Sequence, residues 1–514
     1  MSSSGLAVTR TSSKVLVAHA DNEGLAVTRT AHTLLPNPRR VIAKPYLPGQ
    51  EIIPGGDARA ALLVDRILEI LEPEVASMLA DVMADFSPRH RGFEQILQRH
   101  FELVVHHIAP GTQLSHERRL LMGAYFTHEY SVEAAALCNP SMVLAPDQTK
   151  LRPGQCRFVM SLRAVGEGHI SSIEFRSGTL NAASEVTLDP MGSKLVSGRR
   201  TAPSSYDKHQ FGAKLSELGA GNDIAWNVLA RLSERFTLDD LEHSLALLEE
   251  NGLPHAISFE TVKIIRVLAS SNYVTSFPTD SEISERVIFP AGPNETRGME
   301  DARFVRFVED DGSVKYYATY TAFDGYEILP QLIETEDFLS FTISTLNGAA
   351  AQNKGMALFP RQIDGKYMML SRKDRENPHL ATSNDVRFWN DVTELHKPSK
   401  PWELLQIGNC GSPLETEAGW IVLTHGVGPM RRYTLSALLL DLADPRRVIG
   451  HLPVPLLTPD ETEREGYVPN VLYSCGGLIN GDTLVLPYGF SDHGINIALI
   501  SVPELLAKLR NSAA

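Results

Sequence analysis

Five copies of one strand pattern constrain this chain more than any single motif does. Each is an apolar or aromatic run that ends in polar residues: 157–163 (RFVMSLR), 315–321 (KYYATYT), 366–372 (KYMMLSR), 420–425 (WIVLTH) and 483–492 (TLVLPYGFSD). The last four follow Asp311-Gly312, Asp364-Gly365, Ala418-Gly419 and Asn480-Gly481-Asp482. These are hairpin signals whose positive φ suits the right-handed twist of paired strands. A spacing of roughly fifty to sixty residues is that of propeller blades, each of which needs its neighbours to bury its faces. The pattern therefore predicts a mainly β chain folded as a five-bladed β-propeller. In such a fold the innermost strand of each blade runs along a central channel. The terminal residues Arg163, Thr321, Arg372, His425 and Asp492 are then expected around one axis, although any one of them alone reads equally well as a solvated strand end.

The remainder is organised around that body. Residues 57–86, 92–109 and 115–137 place apolar side chains three and four apart, as at Leu62, Ile67, Ile70 and Leu71, and predict helices. They make an N-terminal α-helical domain over 51–137. Ahead of it lies a stretch, 1–50, rich in Ser and Thr, in which the heptad GLAVTRT occurs at 5–11 and again at 24–30; its composition predicts a flexible tail. The β-rich part, 138–514, is interrupted by a helical insertion at about 206–270 that includes residues 237–250.

Composition narrows the function. With 43% hydrophobic and 21% charged residues among 514, the chain is an ordinary globular protein, large enough for a main domain and an accessory one. A formal net charge of −14 argues against nucleic acid as a partner, because gripping phosphodiesters needs a basic surface. The four cysteines, Cys138, Cys156, Cys410 and Cys475, form no C-x-x-C pair and suggest neither a zinc site nor a disulfide framework. No signal core and no apolar run of membrane-spanning length occurs, so the expected location is cytoplasmic, with no membrane partner.

The densest chemistry lies at 284–303 (SERVIFPAGPNETRGMEDAR), where a Pro- and Gly-containing loop leads into Glu300-Asp301 and a strand, with Arg286, Arg297 and Arg303 close by. Adjacent carboxylates there read either as a site or as a structural ion-pair knot. Strand alternation predicts that only one of Glu300 and Asp301 faces the channel. The run Gly298-Met299-Glu300-Asp301-Ala302-Arg303 resembles the G-x-E-D-[PA]-R signature of glycoside hydrolase family 130, the β-mannoside phosphorylases and related mannosidases. Further matches follow in order: Asn139-Pro140; 357–360 (ALFP) before 363–367 (IDGKY); Gly419-Trp420 before His425-Gly426; 439–445; and 466–470 (GYVPN). The resemblance runs from Asn139 to the end of the sequence, and the helices and the insertion lie outside the compact family core.

The resemblance implies an inverting displacement at the anomeric carbon of a β-mannosyl unit, with Asp301 as general acid and the proton passing through a hydroxyl of the mannose. Inorganic phosphate is the implied co-substrate, and neither a metal nor another cofactor is called for. The implied mannose subsite comprises Asn139, Arg163, His169, Glu300 and Asp492; the implied phosphate site comprises Arg372, His425, Arg431 and Tyr433. The sequence departs from the phosphorylase pattern at Gln406, where a phosphate-contacting Lys is usual, and a second Arg expected soon after Trp389 is absent. Arg431, Arg432 and Lys354 are the candidates to compensate. The expected activity is phosphorolysis of β-mannosides, β-1,2-linked manno-oligosaccharides among them. An inverting hydrolase is the alternative, with Glu285, Glu300, Asp374 or Glu376 as base, and a sugar-binding propeller without turnover is the distant one. Linkage, acceptor sugar and any homo-oligomer stay open at this stage.

Overall fold

A strand buried on both faces reads as a continuous apolar run, and the stretch Gly419–Val427 (GWIVLTHGV) is buried at every position. In the computed structural model, which describes residues 18–19, 25–48, 59–250 and 255–511, such strands fall into five successive antiparallel units, the first two joined in one twelve-stranded sheet through the parallel pairing of Gly298 with Ser171. The first comprises Ala136–Leu144, Cys156–Val165, Ser171–Leu180 and Val186–Leu188. The second comprises Gly298–Val308, Val314–Phe323, Ile328–Thr335 and Ser340–Thr345. The third is built from Ala357–Leu358, Tyr367–Ser371, His379–Ser383 and Asp391–Glu394. The fourth is Gln406–Asn409, Gly419–Val427, Tyr433–Leu440 and Val448–His451. The fifth joins Leu472–Tyr473, Thr483–Phe490 and Gly494–Ser501 to an N-terminal strand, Val27–Leu34. The protein is thus mainly β.

Side-chain alternation gives each unit two apolar faces, and each face packs on a different neighbour. Phe175 of the first unit meets Phe304 and Phe341 of the second; Phe307 and Leu332 of the second meet Met369 and Ala381 of the third. Leu370 and Leu380 of the third meet Trp420 and Val422 of the fourth, and Ile421 and Leu423 of the fourth meet Leu472 and Leu486 of the fifth. A further cluster sets Val485 and Ile497 of the fifth unit against Leu137, Phe158 and Met160 of the first. The succession of cores therefore returns to its start.

The five sequence copies, expected to be the innermost strand of each blade, are the second strand in the hydrogen-bonded order of each unit. Contacts across units come from the strand before: Ala136–Leu144 lies against Gly298–Val308, Cys475 N donates to Pro140 O (2.8 Å), and Arg303 Nε donates to Cys410 O (2.8 Å). The pattern marks apolar strands followed by polar ends, and alternation along one strand cannot say which strand lies inside.

The N-terminal part departs from expectation in two places. The helix expected over 115–137 stops at Tyr125, as His116–Tyr125; Thr127–Ser131 then pairs with Val41–Pro45, and Ala136–Leu144 opens the first unit. Residues 1–50 were expected to form a loose tail, yet Val27–Leu34, which contains Val27 to Thr30 of the second GLAVTRT copy, is a strand on the edge of Gly494–Ser501. The first copy lies outside the described residues. Arg29 anchors this strand through Glu463 (3.2 Å) and Thr458 O (2.8 Å), and Tyr488 and Asn496 donate to the same buried Glu463. Arg40 and Arg176 both grip Glu133 and Glu174 in a buried four-charge cluster.

Helices Arg59–Leu68, Glu72–Phe86, Phe93–Glu102 and His116–Tyr125 share their own apolar clusters. Helices Lys208–Glu217, Asp223–Ala230, Leu238–Glu250 and His255–Ser270 share another. No described helix is long and apolar enough to cross a membrane.

Candidate active site

Local backbone irregularity aims the central polar side chains. Along Gly298–Val308 the register runs Glu300↔Thr321 and then Arg303↔Thr319, so Asp301 and Ala302 together face one residue of the partner strand, a β-bulge. Asp301 takes φ 57° there. The bulge resets the alternation, and Glu300 and Asp301 both turn to Arg163, which corrects the expectation that only one could. Asn139 sits in the equivalent irregularity of Ala136–Leu144 with φ 49°, and Ser491 and Asp492 leave Thr483–Phe490 with φ 47° and 45°. Left-handed backbone at non-glycine residues costs energy and collects at functional sites.

Around Asp301 the contacts are dense. Asn139 Nδ2 donates to Asp301 Oδ1 (2.5 Å). Arg163 Nη2 donates to Glu300 Oε1 (2.7 Å), and its Nη1 stands 3.5 Å from Asp301 Oδ1. Lys354 caps the other oxygen of Glu300. Arg303, 1% exposed, donates to the Asp301 carbonyl (3.0 Å) and to Tyr473 Oη (2.8 Å). Burial by itself would raise the pKa of Asp301. The charges of Arg163, Arg303 and Lys354 and the Asn139 hydrogen bond outweigh it and hold the carboxyl below its usual range. Asp492 moves the other way: burial raises it, the charges of Asp301 and Glu300 add to the rise, and Arg163 and Arg431 oppose it.

A second polar group adjoins through Tyr473, whose ring centre lies 4.7 Å from that of His425. Tyr433 also stacks on His425, with ring centres 5.9 Å apart and planes 15° apart. Arg372 Nη1 is 3.1 Å from His425 Nε2; a guanidinium only donates, so Nε2 accepts and the proton is assigned to Nδ1. Burial, then the charges of Arg372 and Arg303, push the imidazole well below its usual range, so it is neutral. Gln406 Nε2 also reaches His425 Nε2 (3.4 Å). Gly408 makes room for this pairing, since a Cβ there would meet His425 Cε1 at 2.7 Å and Arg372 Nη1 at 3.1 Å. Arg372 Nε, His425 Nδ1, the Asn409 amide and Thr424 Oγ1 are buried without hydrogen-bond partners among the described residues. Buried polar groups are normally satisfied, so the donors Arg372 Nε and His425 Nδ1 are open to a partner from outside the chain.

Several expectations fall elsewhere. His169 stacks on the exposed ring of Tyr467 (5.4 Å), and no direct contact ties it to Arg163 or Asp301 among the described residues. Thr321 is buried within its sheet opposite Glu300. Arg431 is exposed on the turn Pro429–Arg431, and its charge is felt by Asp492. Lys354 serves Glu300 and Gln406 serves His425. Of the carboxylates considered as a hydrolytic base, Glu285 pairs with Arg91 (3.6 Å) away from the cluster, and Asp374 accepts from the backbone of Glu376 and Asn377 in an exposed turn. Tyr473 and Asn409 were not foreseen: neither lies in a motif, and only the pairing of strands brings them inward.

A profile of glycoside hydrolase family 130, described as beta-1,4-mannooligosaccharide phosphorylase, matches residues 274–511. A 1,2-beta-oligomannan phosphorylase of Thermoanaerobacter sp. (strain X514) is 34% identical over 278 residues, which is 51% of this chain and 90% of that relative. A beta-1,2-mannobiose phosphorylase of Listeria innocua is 30% identical over 234 residues, 44% of this chain and 64% of the relative. Among solved structures, beta-1,2-mannobiose phosphorylase from Listeria innocua in complex with beta-1,2-mannobiose aligns with a TM-score of 0.44 at 23% identity, over 74% of this chain and 94% of that one.

Proposed function

Because this chain belongs to glycoside hydrolase family 130, we propose that it is an inverting phosphorylase of β-1,2-linked manno-oligosaccharides. The observation that carries the reading is the junction of two unlike polar groups. One is a carboxylate cluster at Asp301; the other is an anion-fitting pocket at Arg372, His425 and Tyr433. Arg303 and Tyr473 connect them. The relatives named above as 1,2-β-mannoside phosphorylases support the linkage.

Asn139, Arg163, Glu300 and Asp492 hold the mannosyl unit, and Asp301 supplies the proton that the glycosidic oxygen needs as it leaves, by way of a mannose hydroxyl. Phosphate, gripped by Arg372 with the neutral His425 and Tyr433 as further partners, attacks the anomeric carbon from the opposite face. The C–O bond to the acceptor sugar breaks as the C–O bond to phosphate forms. The products are α-mannose 1-phosphate and a mannoside shortened by one residue. Inversion by water would need a carboxylate base about 6.5–9.5 Å across the ring from the acid. Glu300, one of the bases considered, is neutralised by Arg163 and Lys354, which favours phosphorolysis. His169 would act at the outer edge of the sugar site, through its stack with Tyr467.

The five units are proposed to be the blades of a propeller, a reading supported by the closed succession of apolar clusters from the first unit to the fifth and back. The four free thiols are consistent with a reducing, cytoplasmic setting. Arg372→Ala tests the site. It should raise KM for phosphate by about 10²-fold, the size expected when a charged hydrogen bond is lost, while KM for the mannoside changes little. Equal effects on both substrates would remove phosphate from this pocket.

A further inference from the structure

Behind the anion pocket, at the seam between the third and fourth units, three side chains converge without serving the proposed chemistry. His396 follows strand Asp391–Glu394, Glu403 lies in the connection to Gln406–Asn409, and His451 ends strand Val448–His451. Each offers one ligand atom, and all three atoms lie within 4.8 Å of one another. Glu403 is 0% exposed. His396 Nε2, Glu403 Oε2 and His451 Nε2 are all buried and have no hydrogen-bond partner among the described residues.

An ion pair between His451 and Glu403 does not account for this. Their atoms are 3.6 Å apart, beyond a good hydrogen bond, and such a pair would leave the His396 nitrogen unpaired beside them, its ring 4.8 Å from that of His451. The other carboxylate oxygen is already committed: Glu403 Oε1 accepts from Ser399 N (2.9 Å) and Lys400 N (3.2 Å). Those bonds fix the carboxylate with Oε2 turned to the two imidazoles, the role that outer partners play around metal ligands.

We propose that His396, Glu403 and His451 bind one divalent transition-metal ion, Zn2+ by ligand type, in a structural site. Two imidazoles and a carboxylate are a borderline-soft donor set that suits zinc, and tetrahedral bonds of about 2.0–2.1 Å place ligand atoms roughly 3.3–3.4 Å apart. The 3.6 Å between His451 and Glu403 requires only a small contraction. The metal would tie the outer strand of the fourth unit to the connection that follows the third. That connection lies directly behind the anion pocket: a Cβ on Gly426, next to His425, would meet Glu403 Cβ at 2.8 Å, and Gln406 N donates to Glu403 O (2.9 Å).

The test uses the full chain, freed of any purification tag, stripped with a chelator and titrated with Zn2+ by calorimetry. One equivalent should bind with a dissociation constant below about 1 μM, and Zn2+ should raise the unfolding temperature, since a ligand of the native state stabilises it. His396→Ala, at a partly exposed position, should fold normally and weaken binding by at least about 10²-fold. Glu403→Gln should do the same if it folds. Absence of binding at 10 μM Zn2+, on the order of ten times the expected dissociation constant, would overturn the proposal. So would equal affinity in the wild-type protein and His396→Ala, which would assign the ion to another group such as the exposed Asp374 and Glu394 with the buried His379.

Discussion

Asp301 is ionised in the free protein and yet, in the reaction proposed above, must deliver a proton. Its depressed pKa means that only a small fraction carries the proton at neutral pH, and that fraction grows as pH falls. Substrate and phosphate change the balance, because excluding water and adding the phosphate charge both raise the pKa of a carboxyl. The expected outcome is that kcat/KM for phosphorolysis falls as pH rises through neutrality. A kcat/KM that does not fall as pH rises would contradict this. Asp301→Asn keeps the shape and removes the proton, so phosphorolysis of a natural mannoside should drop by roughly 10² to 10⁴. A nitrophenyl mannoside that fits the acceptor site should lose less, as its leaving group needs less help. Glu300→Gln is not neutral in this structure: it releases Arg163 and Lys354 together, and activity should fall by about 10²-fold through misplacement of Arg163.

At the level of elements, the strands were legible because turn glycines punctuate apolar runs. Gly312, Gly365 and Gly481 take φ of 82°, 69° and 57°, as hairpin turns require. The bulge at Asp301-Ala302 was not legible, since neither residue is the glycine that usually marks one, and with it went the face assigned to Glu300. The helix after Ser115 was overextended because 126–137 carries apolar residues that suit either period; pairing with Val41–Pro45 decides for strand. Residues expected to gather from strand ends do meet where a motif held them: Arg163 reaches Glu300 and Asp301, and Arg372 reaches His425. The stack of His169 on Tyr467 was not legible, because a glycine-rich turn has no direction that a sequence reveals. The His396, Glu403 and His451 group has no fixed spacing and is created by packing alone.

For the whole molecule, the N-terminal strand Val27–Leu34 has most to say about closure. Its sequence, VTRTAHTL, reads as polar, yet it covers the edge of the last sheet, and uncovered edges invite aggregation. Arg29→Ala leaves buried Glu463 without its main counter-charge and should cost on the order of 3 kcal/mol, read as a lower denaturant midpoint. A midpoint equal to that of the wild-type protein would make the strand an ornament of the fold. Phosphorolysis itself is tested most directly by following β-1,2-mannobiose with the enzyme by 31P NMR, with and without inorganic phosphate. α-Mannose 1-phosphate should appear with phosphate present, and turnover should cease without it. Free mannose as the only product, released at a rate that phosphate does not change, would contradict it.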